Sequence, residues 1–548
     1  MDVILVGLPG SGKSVVGRRL AGRHGATFVD LDSQIEAAEG RPIPEIFAQD
    51  GEAVFRAAER AAIAALGPPD GGPSIARVVA TGGGAVVDPR NRWALYRGRL
   101  SVWLDGRPEV LAQRLRRSPH VRPLIVGREP VAAVRDLAAK RERFYDAAAI
   151  RINGVPEVRG VVEAVEAAVT MAHPGGTRLL DAETRVGRYV LGDGIAANAI
   201  ADALHRLGAE RAILVSEPGA WAAAGEAIAA GLAAAGWTRR STVLLPEGED
   251  AKRLSVIEDA ARELASLRVE RGEPIVAIGG GALGDAAGFL AATYLRGIPF
   301  IQVPTTLVAQ IDSAIGGKTG VDLPEGKNLV GAFHQPAAIV VDVALLATLP
   351  ERQRRAALGE AVKMAALGDA RLFELLEAEG EAIARGDPGT LERGAIAELV
   401  ERAGWAKIEV VSADERERGA AAGRITLNLG HSLGHAVEAA GGYRELLHGE
   451  AVAYGLRAAC TIGVEIGLTP PTRADRIVRL LDRLGLGSEP LPYPLATVLD
   501  HLAADKKHAG GRLRWVLPSA DGVEIRDDVP AATVERAAAG LLAAGSPA

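Results

Sequence analysis

Val3-Ile-Leu-Val-Gly7-Leu-Pro-Gly10-Ser11-Gly12-Lys13-Ser14 decides how the chain begins. Four apolar residues in a row read as a buried strand, and the glycines at 7, 10 and 12 permit a tight turn directly after it. The pattern G-x-x-x-x-G-K-S between a strand and a helix is a phosphate-binding loop. Its backbone N–H groups point inward at phosphate oxygens, and the helix N-terminus adds a favourable partial charge. Gly10, Ser11 and Gly12 are thereby expected against ATP, with Lys13 reaching the β- and γ-phosphates and the Ser14 hydroxyl on Mg²⁺.

Outward from this loop, TFVDLD, RVVATGG and LSVWLD read as further strands, and helical stretches such as PEIFAQDGEAVFRAAERAAIAAL lie between them. This rhythm implies an α/β P-loop domain, a parallel sheet with helices on both faces. The Pro-Gly-Gly in Met171 to Arg178 breaks it. The expected limits are residues 1–172 for the first domain, 173–177 for a linker, 178–345 for a second α/β region and 346–548 for a helical one. RAILVS, STVLLP, PIVAIGGG, PFIQVP and AIVVDV supply the strands of a Rossmann-like second region. Beyond Leu346 long Ala/Leu/Arg/Glu patterns replace strand signals, so the last region reads as all-helical.

Bulk properties remove other classes. A chain of 548 residues is too long for one core. Its net charge of -6, with no long basic run, argues against a nucleic-acid partner. A single cysteine, Cys460, excludes a disulfide framework and a cysteine-based zinc site. No apolar run approaches the roughly 20 residues that span a bilayer. A cytoplasmic enzyme acting on small molecules, without a membrane partner, is the expectation.

The residues downstream of the loop identify the acceptor of the phosphoryl group. Asp30 and Asp32 end the second strand, where two carboxylates serve a metal and a hydroxylated ligand or cap a helix. Arg56 and Glu59 share a helix face at i and i+3, as a surface ion pair or as a ligand pair. Ala80-Thr-Gly82-Gly83-Gly84 then offers bare backbone. D-x-D, G-E-x-x-F-R-x-x-E and A-T-G-G-G, in this order, resemble shikimate kinase over residues 2 to 150. The resemblance implies that Asp32, Arg56, Glu59, Gly82 and Gly83 hold shikimate, that Asp30 assists Mg²⁺ through water and that Asp32 is the base. Ser118-Pro-His-Val-Arg122 resembles the lid whose arginine reaches the nucleotide. Arg141, in Lys140-Arg-Glu-Arg-Phe-Tyr145, resembles the carboxylate-gripping arginine, with Arg143 as its rival.

A second set lies further along. Gly279-Gly280-Gly281-Ala-Leu-Gly-Asp285 comes after a strand, where a pyrophosphate can approach closely. Glu249 and Lys252 precede it in a loop, and Thr305 and Thr306 end a later strand. Asp312, Lys318, Lys327 and Asn328 come next. The helical region adds Glu360 and Lys363 on one face, then His431, His435 and His448 within eighteen residues. One Glu and several His, with no Cys, suit a catalytic zinc site with open positions.

GGGALGD, PTTL, GGKTG, GKN, GEAVK, NLGHSLGH and LHGE together resemble 3-dehydroquinate synthase over residues 178 to 530. The resemblance implies a Zn²⁺ or Co²⁺ held by Glu360, His431 and His448. It implies NAD contacts from Glu249, Lys252, Gly280, Gly281, Asp285, Thr305 and Thr306, with Asp312, Lys318 and Lys327 nearby. It places the phosphorylated seven-carbon substrate against Asp312, Lys318, Lys327, Asn328, Lys363, Lys407, Arg424 and His435. Arg296 reaches the phosphate from a neighbouring subunit, which implies a homodimer through this half. A late Asp505-Lys506-Lys507 resembles a substrate-binding lysine motif. The chain departs from the family at Ser216-Glu-Pro-Gly, where an Asp for the cofactor ribose is usual, and in a longer stretch from Asp414 to Arg424.

The chemistry implied is phosphorylation of shikimate by ATP, and transient oxidation with phosphate elimination to give 3-dehydroquinate. Two alternatives remain: a related small-molecule kinase joined to an alcohol-dehydrogenase-like enzyme, or one half acting only as a scaffold. The lysines at 318, 327, 363 and 407 oppose the first, since an uncharged polyol needs no such cationic group.

Overall fold

The computed structural model describes the chain except residues 73, 118–128, 154–156, 172–175, 416–422, 509–512 and 544–548, and gives 170–171 and 505–508 by backbone alone. The chain divides into two compact units, Met1–Glu183 with Tyr189–Ile195, and Thr184–Arg188 with Ala196–Ala548.

The first unit alternates β1 (Asp2–Val6), α1 (Lys13–His24), β2 (Thr27–Asp30), α2 (Leu31–Glu39), α3 (Ile43–Ala64), β3 (Arg77–Ala80), α4 (Pro89–Tyr96), β4 (Leu100–Asp105), α5 (Pro108–Arg117), α6 (Pro130–Tyr145), β5 (Ile150–Asn153) and α7 (Val158–Met171). Its five strands run parallel in the order β2-β3-β1-β4-β5. β1 is buried along its whole length, as a central parallel strand covered on both faces must be. Val3 and Leu5 pack with Val78, Val102 and Leu104 against Val16 and Leu20 of α1. That packing fixes the loop between β1 and α1 at the carboxyl edge of the sheet, where open α/β sheets bind ligands. β6 (Thr177–Thr184) and β7 (Gly187–Asp193) come next in the chain.

In the second unit β8 (Arg211–Ser216), β9 (Thr238–Leu244), β10 (Ile275–Gly279), β11 (Phe300–Pro304) and β14 (Ala338–Asp342) are parallel, in the order β14-β11-β10-β8-β9. These are the five strands read from the sequence. The antiparallel hairpin of β12 (Lys318–Leu323) and β13 (Gly326–Phe333) carries the Gly-Lys-Asn motif. Helices then dominate, among them Glu351–Ala366, Ala395–Ala413, His431–Ala440, His448–Glu465 and Leu495–His508. The region is not all-helical, however: β15 (Trp515–Pro518) and β16 (Val523–Arg526) form a small hairpin. Its four-residue strands are too short to leave a periodic signal. Among the described residues no helix is long and apolar enough to cross a membrane.

Candidate active sites

In the first unit the loop glycines take the backbone the motif demands, with φ of 143° at Gly7, 84° at Gly10 and 93° at Gly12. Lys13, buried, donates to the carbonyl oxygens of Gly7 (2.8 Å) and Leu8 (3.1 Å). A cavity of about 790 Å³ opens beside it, lined by Ser14, Asp32, Thr81, Gly83 and Arg114 among others. Arg114 Nη1 stands 3.4 Å from the Gly10 carbonyl oxygen, a contact no motif announced.

The two aspartates separate. The strand stops at Asp30, whose carboxylate caps α2 by accepting from Ser33 N–H, while Asp32 sits in the first helical turn and lines the cavity. Strand alternation therefore does not relate them; the helix start does. Arg56 Nη1 lies 2.8 Å from Glu59 Oε2, and Glu59 is buried. Burial pushes the Glu59 carboxyl above its usual range, against the pull of Arg56. A Cβ at Gly82 would stand 2.9 Å from Asp32 Oδ1 and 3.1 Å from Glu59 Oε1, so only glycine keeps this corner open. Arg141 Nη1 donates to the Gly83 carbonyl at 2.9 Å, and the Tyr145 hydroxyl donates to the same oxygen. Tyr145, which the motifs did not single out, is pushed up to about 12 by burial. Arg143 instead lies over the Phe144 ring at 4.7 Å, so Arg141 is the arginine beside Gly83. Arg122 falls outside the described residues.

The second unit holds a larger cavity, about 1180 Å³, walled by both its α/β and its helical parts. Gly280 caps the helix Gly281–Thr293, and its N–H donates to Glu217 Oε1 at 3.3 Å. Glu217 Oε2 accepts from Gly248 N–H at 3.0 Å. The residue beside Ser216, where the usual Asp is missing, thus brings a carboxylate to the glycine-rich turn. Lys252 Nζ lies 3.0 Å from Asp285 Oδ2 and also meets Asn328 Oδ1, whose backbone is left-handed at φ 57°. Burial outweighs Lys252 and pushes the Asp285 carboxyl up to about 6. Thr305, Thr306 and Glu249 join these residues on the cavity wall.

Deeper in, Asp312 Oδ1 stands 2.7 Å from Lys407 Nζ and 3.7 Å from Lys363 Nζ. The Asp312 carboxyl is held below its usual value by these two lysines, although burial opposes them. Burial and the nearby Lys363 push Lys407 down despite Asp312, whereas Glu360 and Asp312 hold Lys363 up against burial. Lys363 forms an ion pair with Glu360 one turn away, in a helix buried from Ala356 to Ala366.

Glu360 Oε1 lies 3.3 Å from His448 Nε2 and 3.6 Å from His431 Nε2. Close backbone contacts bring these residues together. A Cβ at Gly359 would stand 2.2 Å from the Gly449 carbonyl oxygen, and one at Gly455 would stand 1.7 Å from that of Gly430. Glycine at these crossings lets the three helices meet with Glu360, His448 and His431 facing one point. His431 Nδ1 faces the Leu429 carbonyl at 3.1 Å and His448 Nδ1 faces Glu438 Oε2 at 3.2 Å. Each Nδ1 thus has an acceptor and each Nε2 is turned to the centre, the usual outer support of metal-binding histidines. Neither Glu360 oxygen has a hydrogen-bond partner in proper geometry among the described residues, though Lys363 is in ionic contact. A buried carboxylate whose Oε1 has no hydrogen-bond partner among the described residues, with two oriented imidazoles, fits a divalent cation. His435 belongs to the same cluster and is its exposed member. Its ring lies 5.2 Å from His431 and 5.7 Å from His448, so proximity alone does not exclude it as a ligand.

Lys327, on β13, reaches this centre through Glu438, 3.0 Å away. Five of the expected substrate residues stand outside the cavity lining: Lys363 and Lys407, buried beside Asp312, and Lys318, Arg296 and Arg424. Lys318 and Arg296 are exposed, and Arg296 has a left-handed backbone at φ 66°. Arg424 is buried, donating to the carbonyls of Gly316 (3.3 Å) and Glu415 (2.8 Å). Leu495–His508 brings His501 and Ala504 to the cavity; the side chains of Lys506 and Lys507 lie outside the described residues.

Comparison with known proteins agrees with this division. Residues 9–165 match the family model for shikimate kinase, residues 242–356 that for 3-dehydroquinate synthase N-terminal, and residues 357–508 that for 3-dehydroquinate synthase C-terminal. A 3-dehydroquinate synthase of Halorhodospira halophila is 47% identical over 276 residues, covering 50% of this chain and 76% of that protein. A solved 2-epi-5-epi-valiolone synthase from Streptomyces hygroscopicus, with NAD⁺ and Zn²⁺ bound, superposes with a TM-score of 0.59 at 30% identity, covering 64% of this chain and 96% of the other. A solved 2-deoxy-scyllo-inosose synthase, complexed with carbaglucose-6-phosphate, NAD⁺ and Co²⁺, gives 0.57 at 25% identity, covering 64% and 96%. The chain therefore belongs to the 3-dehydroquinate synthase family and carries a shikimate kinase domain ahead of its synthase region.

Proposed function

We propose that this one chain catalyses two reactions: phosphorylation of shikimate by ATP, and conversion of 3-deoxy-D-arabino-heptulosonate 7-phosphate to 3-dehydroquinate and phosphate. The domain limits that go with this reading are 1–172 for the kinase, 173–177 for a linker, and 178–345 and 346–548 for the two synthase halves. A cytoplasmic setting and a homodimer through the synthase half, with Arg296 serving the neighbouring subunit, belong to the same reading. The exposed, left-handed Arg296 supports it.

In the kinase half, Lys13 and the loop N–H groups hold the phosphates and Ser14 takes Mg²⁺, with Arg122 assigned to the nucleotide by the resemblance to shikimate kinase alone. Arg56 and Arg141 hold the acceptor's carboxylate. Gly82 leaves room for the acceptor hydroxyl beside Asp32, which takes its proton as the phosphoryl group arrives. Such a transfer needs positioning and charge neutralisation more than covalent chemistry.

In the synthase half, Glu360, His431 and His448 would hold zinc or cobalt, and the wall from Glu217 to Thr306 would hold NAD. Bound there, they supply a Lewis acid and a reversible hydride acceptor. Lys252 keeps Asp285 and Asn328 in place at the cofactor end. Lys363, Lys407 and Asp312 orient the sugar hydroxyls, with Lys318, Lys327 and Arg424 supplying further positive charge. His435, exposed beside the metal ligands, offsets charge as phosphate leaves with the proton of the neighbouring carbon. The observation that carries the synthase reading is the convergence of Glu360 with the Nε2 atoms of His431 and His448.

The two solved neighbours bear the names of other products, so a different sugar phosphate is the second reading. The 47% identity to a 3-dehydroquinate synthase favours the first. Assay of the full-length chain with both substrate pairs tests the proposal. Turnover of both supports it; turnover of some other phosphorylated sugar in place of the heptulosonate favours the second reading.

A further inference from the structure

Glu438 is a buried carboxylate whose two oxygens serve two different groups. Oε2 lies 3.2 Å from His448 Nδ1, and Oε1 lies 3.0 Å from Lys327 Nζ. It sits on the helix His431–Ala440, seven residues after His431 and three after His435, so all three share one face. Lys327 comes from the β12–β13 hairpin and is further held by Glu249 Oε1 at 3.4 Å and by the Tyr443 ring at 4.9 Å. One side chain thus ties an imidazole of the Glu360 cluster to a lysine of the opposite cavity wall. Burying a carboxylate costs free energy unless its partners repay it. Here both partners face the cavity, and neither is needed to fill a core.

We propose that Glu438 is a positioning residue that couples metal binding to the binding of the phosphorylated substrate. It fixes His448 with the proton on Nδ1 and Nε2 aimed at Glu360, and it sets where the Lys327 ammonium stands. The inference rests on the proposed zinc or cobalt site at Glu360, His431 and His448. His448 Nδ1–H and the Lys327 ammonium are both donors and need two acceptors. A carboxylate offers two; a glutamine amide offers one oxygen and one NH₂. Glu438→Gln therefore satisfies one partner only at the expense of the other.

The test measures zinc affinity by chelator competition and KM for the heptulosonate phosphate on the full-length chain, with thermal unfolding alongside. In E438Q the zinc affinity should fall about 10- to 100-fold, the range for loss of such a partner, or KM should rise correspondingly where the amide keeps His448 instead. Adding Lys327→Met to E438Q frees the amide oxygen for His448 and should return most of the lost zinc affinity while KM stays high. Glu438→Asp keeps both acceptors one methylene short and should lie between; it gives the answer alone if E438Q does not fold. Wild-type zinc affinity and KM in both variants would overturn the inference, with or without a change in the unfolding midpoint. Absence of stoichiometric zinc from the wild-type chain would instead remove the metal site on which it rests.

Discussion

His431 Nε2 stands 3.6 Å from Glu360 Oε1, their two helices each packed closely on the helix His448–Glu465 through the glycine contacts Gly430–Gly455 and Gly359–Gly449. The proposed roles make His431 a ligand and leave His435, one turn later and the exposed member of the cluster, to the substrate. His431→Ala should purify without stoichiometric zinc and lose synthase turnover. His435→Ala should keep its zinc and lose turnover at the elimination step. Metal analysis of the two proteins decides the matter: zinc retained in the His431 variant and lost in the His435 variant would exchange the two roles.

Asp285 gives a pH dependence with a definite sign. It faces Lys252, Glu249 and Lys407, and burial raises it to about 6 in the fold, above an unfolded value of about 3.9. A carboxyl with a raised folded pKa contributes stability that is fully present below about pH 4 and is lost as pH rises through about 6. Asp285→Asn removes that dependence. Relative to wild type, the Asn variant should become more stable by about 2 kcal/mol between pH 4 and pH 7.5, a two-unit shift discounted for partial exposure. Chemical denaturation at the two pH values checks this. A difference that stays constant with pH would show that Asp285 is not raised.

Arg56 pairs with buried Glu59 and with exposed Glu52. A lysine cannot reproduce the two parallel hydrogen bonds a guanidinium makes to a carboxylate. Arg56→Lys should raise KM for shikimate about tenfold or more, for a lost contact of about 1.4 kcal/mol or more, and leave KM for ATP within about twofold. Equal effects on both substrates would remove Arg56 from the acceptor site.

What the sequence reveals depends on whether function leaves a local pattern. The P-loop is legible because Gly7, Gly10 and Gly12 adopt positive φ that other residues resist, and because Lys13 and Ser14 must come at once after them. His431 and His435 are legible through helical spacing. Glu438 is not: it looks like any helical glutamate, and its partner Lys327 lies 111 positions away. Tyr145 and Arg114 are likewise defined by the carbonyls of Gly83 and Gly10, which only the fold brings near. Asp30 is ambiguous in the sequence, where the end of a strand allows a ligand role or a helix cap, and the structure uses it as a cap. Gly359 and Gly449 stand inside the GEAVK and LHGE motifs, but their backbone contact, which sets Glu360 beside His448, is seen only in the fold.

One polypeptide, on this account, holds two independent active sites. The direct measurement is steady-state turnover of shikimate with ATP, and of the heptulosonate phosphate with NAD and zinc, on the wild-type chain, Lys13→Ala and His431→Ala. Two independent sites require both activities in wild type, loss of the kinase alone in the Lys13 variant and loss of the synthase alone in the His431 variant. Parallel loss of both activities in either folded variant would contradict this.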